Sequence, residues 1–388
     1  MFKFYVNSED FANVIKKIAI AIPTATKGGN DGIKMVFYKT VRATNKSMGI
    51  FLAYDGKVQA VSPLVIEDVT ADKEEIEIHV SGKKILAAAM AYATLDAVLE
   101  FSIDKELTIS GSGSKITLQL VQKIVALQPQ EEIVQEIEMK SEEFFNFMNF
   151  ASSSYGENAG SRGLHCVGIR IDEEKKIMTA ISSNGSRCAY AETEDIRFCP
   201  VKEGNEKHSK EIIITIEGKI LKNVIRNLAR SKKVVIGIDL KRIRIKSGSD
   251  VVMILTQDIA FPMDSVIKIV NQHEKVGAWK SKISDIFQSL GIHEVTMEDP
   301  WLQLSKQGDS KMCMRGKDTK SSTSFATAQE GEIETVVISE KEFKNTLLVF
   351  AKESEIIVET ISHKSPITIR QTEEDPNRII IFPIVDEE

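Results

Sequence analysis

Aromatic side chains are scarce in this 388-residue sequence, at 6%, so Ile, Leu, Val and Ala must fill most of any core. No stretch approaches the roughly 18 consecutive apolar residues that a membrane-spanning helix needs. The opening MFKFYVNSEDF starts like a strand and turns polar, without the apolar h-region of an export signal. Four cysteines occur, Cys166, Cys188, Cys199 and Cys313, and no two have C-x-x-C spacing. Together these absences predict a soluble cytoplasmic protein with reduced thiols and no membrane partner. Excess positive charge is lacking too: 50 basic residues against 56 acidic ones give −6. Tight, extensive phosphate contact is therefore not expected, while a local basic face stays open. The length exceeds one ordinary core and predicts two or three domains.

Catalytic signatures are equally scarce. SGSGSKIT from Ser110 resembles a phosphate-binding loop, but Lys115 is followed by Ile116 and the segment sits in a predicted hairpin turn. His165-Cys166 is half a metal site with no second Cys or His at ligand spacing. There is no nucleophile elbow, H-E-x-x-H helix or paired-carboxylate arrangement. The expectation is a non-enzyme with no cofactor and no metal. A nucleic-acid-processing enzyme with a site of dispersed carboxylates stays open as an alternative.

What is present is a repeat. IEIHVSGKKILAAAMAYATLDAVLEFSIDKELTISG from Ile76, EIIITIEGKILKNVIRNLARSKKVVIGIDLKRIRIKSG from Glu211 and ETVVISEKEFKNTLLVFAKESEIIVETISHKSPITIRQ from Glu334 share one order: strand, amphipathic helix, strands. Gly82 and Gly218 occupy one place, and Val80, Ile216 and Ile338 align as the last strand residue before each helix. A second pattern precedes each copy. Ser8-Glu9-Asp10-Phe11 and Ser141-Glu142-Glu143-Phe144 read as helix N-caps with acidic first turns. Lys282-Ile283-Ser284-Asp285-Ile286-Phe287 is the third counterpart. The spacing predicts an α+β chain of three similar domains, 1–130, 131–273 and 274–388, each a pair of strand–helix–strands half-units. The joints fall near Pro129 and His273, and Ser-Gly and Asp-Gly turns mark the hairpins.

Over Lys219 to Lys233 a helix is predicted with Ile220, Leu221, Val224, Ile225 and Leu228 on one side at 3.6-residue spacing. Lys219, Lys222, Arg226, Arg230 and Lys233 fall opposite. Such a stripe is either a solvated face or a phosphate-facing one. Like charges at i, i+4 cost a helix about 0.2–0.5 kcal/mol per pair, and no acidic residue intervenes here.

Three segments carry a resemblance to a known family. Ser183-Asn184-Gly185-Ser186-Arg187-Cys188, within VGIRIDEEKKIMTAISSNGSRCAYAE, is similar to the T-D-G-x-R-L of the bacterial DNA polymerase III β-subunit (β sliding clamp) family. Phe261-Pro262-Met263-Asp264 is similar to its F-P-D-Y, and Ile380-Ile381-Phe382-Pro383-Ile384 to its closing V-V-M-P-M. The resemblance spans the chain and implies a head-to-tail homodimeric ring, helices inside and sheets outside, acting as a replication processivity factor. It further implies double-stranded DNA bound without sequence preference, a clamp loader, and DNA polymerase and other clamp-binding-motif proteins as partners. DNA-facing positions would be Lys27, Lys83, Lys84, Lys219, Lys222, Arg226, Arg230 and Lys233. A partner-peptide groove would use Cys166, Ser183, Gly185, Arg187, Cys188, Pro262, Ile267, Ile381, Phe382 and Pro383. Lys115, Ile116 and Leu118 would lie on the edge strand at the dimer joint. Cys188 replaces the family's leucine, and the tail Val385-Asp386-Glu387-Glu388 is acidic, so an altered peptide preference is expected. A repeat-built scaffold that never encircles DNA is the remaining rival.

Overall fold

A computed structural model describes all residues outside 23–31, 42–44, 124–126, 128–132, 158–162, 201–210, 240, 272–274, 297–299, 317–321 and 385–388, and the side chains of 293–296 are likewise outside it. Both expected joints, near Pro129 and His273, therefore fall outside the described residues, as do Lys27 and the acidic tail. The class is α+β, and every described strand pairing is antiparallel.

The first repeat runs β1 (Phe2–Asn7), α1 (Ser8–Ile18), β2 (Gly32–Val41), β3 (Lys46–Tyr54), β4 (Val58–Val65), β5 (Glu67–Ala71), β6 (Glu75–Ser81), α2 (Gly82–Tyr92), β7 (Val98–Ile103), β8 (Glu106–Gly111) and β9 (Ser114–Gln119). The second runs β10 (Gln135–Lys140), α3 (Ser141–Ala151), β11 (Cys166–Asp172), β12 (Ile177–Ser183), β13 (Arg187–Thr193), β14 (Arg197–Cys199), β15 (Glu211–Glu217), α4 (Gly218–Asn227), β16 (Lys233–Ile238), β17 (Arg242–Ser247) and β18 (Asp250–Leu255). A helix α5 (Met263–Asn271) follows. The third runs β19 (Gly277–Lys282), α6 (Ile283–Thr296), β20 (Trp301–Lys306), β21 (Lys311–Gly316), β22 (Ser322–Ala326), β23 (Ala328–Gly331), β24 (Val336–Ser339), α7 (Glu340–Leu347), β25 (Glu355–Thr360), β26 (Ile367–Arg370) and β27 (Arg378–Ile381).

Each repeat makes the same pairings. The opening strand pairs with the strand after the second helix: β1 with β7, β10 with β16, β19 with β25. The strand after the first helix pairs with the strand before the second: β2 with β6, β11 with β15, β20 with β24. Val80, Ile216 and Ile338 are equivalent and fully buried, but each strand ends one residue later than the sequence alignment put it. The edge strands beside them are pinned alike by returning chain: Val121 N–H donates to His79 O, Gln257 to Thr215 O and Ile384 to Val337 O, at 2.8, 2.8 and 2.9 Å.

Neighbouring repeats share sheets. One compact unit holds the order β5-β1-β7-β8-β9 and a nine-stranded sheet, β14-β10-β16-β17-β18-β4-β3-β2-β6. The other holds β15-β11-β12-β13-β27-β26-β25-β19-β23 and β22-β21-β20-β24. The first seam, β4–β18, sets Val58 opposite Ile254 and Val61 opposite Val251. The second, β13–β27, sets Arg187 opposite Ile381 and Tyr190 opposite Arg378. Their registers are equivalent residue for residue, and each is locked at its end: Leu255 N–H donates to Lys57 O (2.9 Å), Phe382 N–H to Ser186 O (3.0 Å).

Local chemistry corrects two expectations. At α1 the cap is Asn7, whose Oδ1 accepts from Glu9 N–H at 2.8 Å. Ser8 is already helical, and its Oγ accepts from Ala97 N–H instead (3.1 Å). The helix predicted to Lys233 ends at Asn227. Ser231 Oγ donates to Lys233 O at 2.5 Å, a local bond that competes with helix continuation. Phe11, Val14, Ile15 and Ile18 bury one face of α1 at the helical period. In the first repeat the Phe4 and Phe101 rings stack at 4.9 Å and Phe11 meets Phe101 edge-on at 5.0 Å. The Ser112-Gly113 turn of the SGSGSKIT hairpin joins β8 to β9, with φ of 49° and 76°. Among the described residues no helix is long and apolar enough to cross a membrane.

Candidate functional site

The basic face is built on α4. Leu221, Val224 and Ile225 are buried, while Lys219, Lys222 and Arg226 are exposed. Because the helix stops at Asn227, Arg230 lies in the following loop, and Lys233 opens β16. Lys233 Nζ sits 2.5 Å from Glu138 Oε2, so its charge is already countered. Lys222 Nζ lies 5.7 Å from the centre of the Tyr155 ring, which packs where a side chain at Gly218 would stand. In the first repeat Lys83 and Lys84 are exposed in the opening turn of α2.

Two further cations escaped the sequence reading. Lys16 and Lys17 close α1, and Lys17 Nζ reaches Asp250 Oδ2 across the first seam at 3.0 Å. Asp250 is buried, and Ser62 Oγ donates to its Oδ1 at 2.6 Å. Beside this network lies a groove of about 520 Å³ lined by Asp10, Lys16, Pro63, Val65 and Arg226 among others. No periodicity flags it, since its walls come from distant parts of the chain.

An apolar cluster lies in the second unit. Ile181, Cys188, Tyr190, Phe261, Met263, Val270 and Ile380 form a buried cluster, with Val266, Ile267 and Phe382 half-buried against it. Of the expected groove residues, Cys188, Ile267 and Phe382 come together there. Pro262 is exposed next to Phe261, and Pro383 half-buried next to Phe382. Phe261 packs on the β11 backbone at Gly168, where an added Cβ would fall 2.9 Å from the ring. Ser183 and Gly185 shape the adjoining turn: Ser183 Oγ accepts from Gly185 N–H (3.1 Å), and Gly185 takes a φ of +94°. Burial pushes the Cys188 thiol up to about 12, making it an inert wall.

Three of the expected groove residues lie outside this cluster. Cys166 is buried on β11, outside this cluster. Ile381 packs with Ala189 into the third repeat's core around Trp279, whereas Ile380 belongs to the cluster with Cys188 and Phe261. Strand alternation makes Ile380 and Phe382 partners on one face. Arg187 is 6% exposed; its Nη2 donates to Ser153 O at 2.6 Å, and its Nε lies 3.4 Å from Glu342 Oε2. Burial lowers its pKa, and Glu342 opposes that shift.

Lys115, Ile116 and Leu118 lie on β9, the last strand of its sheet; β22 is the last strand of the third repeat's sheet. Among the described residues no group of His, Cys, Asp and Glu is arranged to hold a metal.

No protein-family model and no curated protein matches the sequence. Solved structures do. The DNA polymerase III β subunit of Thermotoga maritima is 15% identical with a TM-score of 0.81, covering 100% of both chains. The Bacillus subtilis DNA polymerase sliding clamp is 15% identical at 0.80, again over 100% of both. The Helicobacter pylori β clamp bound to a DNA ligase peptide is 14% identical at 0.81, over 99% of this chain and 100% of that one. The fold is that of a bacterial β sliding clamp. At such identities side chains are free to diverge while the fold is kept.

Proposed function

We propose that this chain is a DNA sliding clamp, a non-catalytic processivity factor whose three domains, 1–130, 131–273 and 274–388, form half of a homodimeric ring in the cytoplasm. The observation that carries this reading is the pair of equivalent seams. Each joins the last strand of a five-stranded half-sheet to the last strand of a four-stranded one: β18 to β4, and β27 to β13. Among the described residues of one chain β9 and β22 are the two ends of that kind left over. A second copy supplies the missing partner at both, in the head-to-tail sense, and two such joints close the assembly. Lys115, equivalent to Val251, would then stand opposite the partner subunit's Ser322.

Helix positions extend the joint. Counted from the helix starts, Lys17 of α1 corresponds to Phe150 of α3 and Ile292 of α6, and Arg226 of α4 to Leu348 beyond α7 and Met90 of α2. Met90 and Ile292 are 48% and 50% exposed. At the closed second seam Phe150, the equivalent of Ile292, is half-buried, while Leu348, the equivalent of Met90, stays 65% exposed, so it is Ile292 whose exposure fits burial against a second copy. The modest basic lining, Lys83, Lys84, Lys219, Lys222, Arg226 and Arg230, would centre a duplex without gripping it, so retention comes from encirclement. The groove around Cys188, Ile267 and Phe382 would take the apolar anchor of a partner peptide from a polymerase, loader or ligase.

Light scattering coupled to size exclusion tests the closure and should give twice the 43.2 kDa chain mass. Ile292→Glu should shift the species toward monomer at micromolar concentration, and Met90→Lys in the same chain should restore the dimer. A wild-type monomer at every concentration would remove the ring.

A further inference from the structure

The chain that leaves each seam is fastened differently. The seam registers make Gln59 the counterpart of Cys188. Leu127 and Met263 stand equally far past the pinned N–H groups of Val121 and Gln257, so they correspond as well. In the first repeat Gln59 is 3% exposed, and its Oε1 accepts from Leu127 N–H at 2.7 Å, tying the passing chain down from within. A thiol in that place is too weak an acceptor for such a tie. Met263 N–H donates back to Phe261 O instead, at 2.8 Å.

At the second seam the passing chain forms α5, and among the described residues no such helix follows the first or third repeat. A helix this short does not hold itself in water, so α5 depends on its packing. Met263 and Val270 are buried, Val266 and Ile267 half-buried, and the cluster they join keeps Ile181, Cys188 and Ile380 out of solvent. The polar fastening is on the outside. Gly168 and Arg170 share one face of β11. Phe261 packs on the first, while Arg170 Nη2 donates to Asp264 Oδ1 and Arg170 Nε lies 2.8 Å from Glu211 Oε1. The Asp264 side chain is 87% exposed, so this tie is weak and salt weakens it further.

We propose that α5 is a lid over the cluster of Ile181, Cys188, Tyr190 and Ile380, latched from outside by Arg170. It pivots at Pro262, next to Phe261 on its seat at Gly168, and lifting it uncovers the cluster. That the uncovered cluster admits a partner's apolar anchor rests on the peptide reading above; the motion of α5 does not. Arg170 is a positioning residue, setting how often the cluster is open without touching what enters. The buried Gln59 bond withholds the same motion from the first seam.

The test is alkylation of Cys188 by N-ethylmaleimide in the folded, whole chain, read by mass spectrometry of the peptide that carries it. A buried thiol reacts only when its cover opens, so the rate follows the open population. Cys166, buried outside the cluster, reports wider unfolding in the same sample. Asp264→Asn leaves Arg170 paired with Glu211, so the latch is cut and no buried charge is stranded. It should speed Cys188 alkylation about two- to fivefold, the worth of an exposed ion pair, with Cys166 unchanged. Added salt should speed the wild type and leave Asp264→Asn unmoved, and Asp264→Glu should restore the slow rate. Equal Cys188 rates in wild type and Asp264→Asn would overturn the latch. Cys166 rising in step with Cys188 would replace the lid by unfolding of the surrounding unit. No partner is present, so a failure of the peptide reading leaves every one of these rates as it is.

Discussion

The two seams of this chain share one register and are cemented by opposite means. At the first, Lys17 and Ser62 converge on buried Asp250, and the helix ends beside them leave an open groove. At the second, Phe150 and Phe350 pack together, and Arg187 pairs with Glu342. Since the first seam holds the same turn with Val58 where the second has Arg187, the backbone geometry does not depend on that arginine. Register is thus set by the strand ladders and their end locks, while side chains at equivalent places are free to serve different surfaces.

That contrast can be broken from either side. The largest effect is expected at the aromatic seam. Phe350 is 8% exposed, and Phe350→Ala should cost about 3 kcal/mol through lost burial and a residual cavity, read as a drop in denaturation midpoint. The loss should be insensitive to salt. Asp250→Asn at the polar seam should cost less, about 1.5–3 kcal/mol, because it weakens a charge-assisted bond while Lys17 can turn to solvent. Its cost should shrink as salt rises, since Lys17 is partly exposed and the pair partly screened. If both variants respond to salt alike, the two seams are not held differently. The smallest net effect is expected from replacing the ion pair as a unit. Arg187→Met with Glu342→Leu should be near neutral in stability, whereas Glu342→Gln alone leaves a buried guanidinium uncompensated and should cost about 3 kcal/mol. A double variant as unstable as the single would mean that this pair, unlike its counterpart at Val58, is needed for the seam.

Much of the fold was legible because the repeat is written in strand–helix–strand order, with Val80, Ile216 and Ile338 as fixed points. The basic face of α4 was legible for the same kind of reason: 3.6-residue spacing separates Leu221, Val224 and Ile225 from Lys219, Lys222 and Arg226. The helix end was not, since it depends on a serine that bonds locally, Ser231, rather than on apolar spacing. The apolar cluster was half legible: Cys188, Ile267 and Phe382 converge, but that Ile380 rather than Ile381 joins them depends on the phase of a four-residue strand between two cores. The burial of Arg187 and the Lys17–Asp250 contact join residues over a hundred positions apart, and nothing local announces them.

The central claim is that retention comes from topology and not from contact. The dimer would be loaded onto nicked circular DNA and its half-life on the DNA followed before and after the circle is linearised. The account predicts persistence on the circle and rapid loss from the free ends after cutting, at a salt concentration where duplex binding alone is weak. Equal half-lives on circular and linear DNA would contradict it.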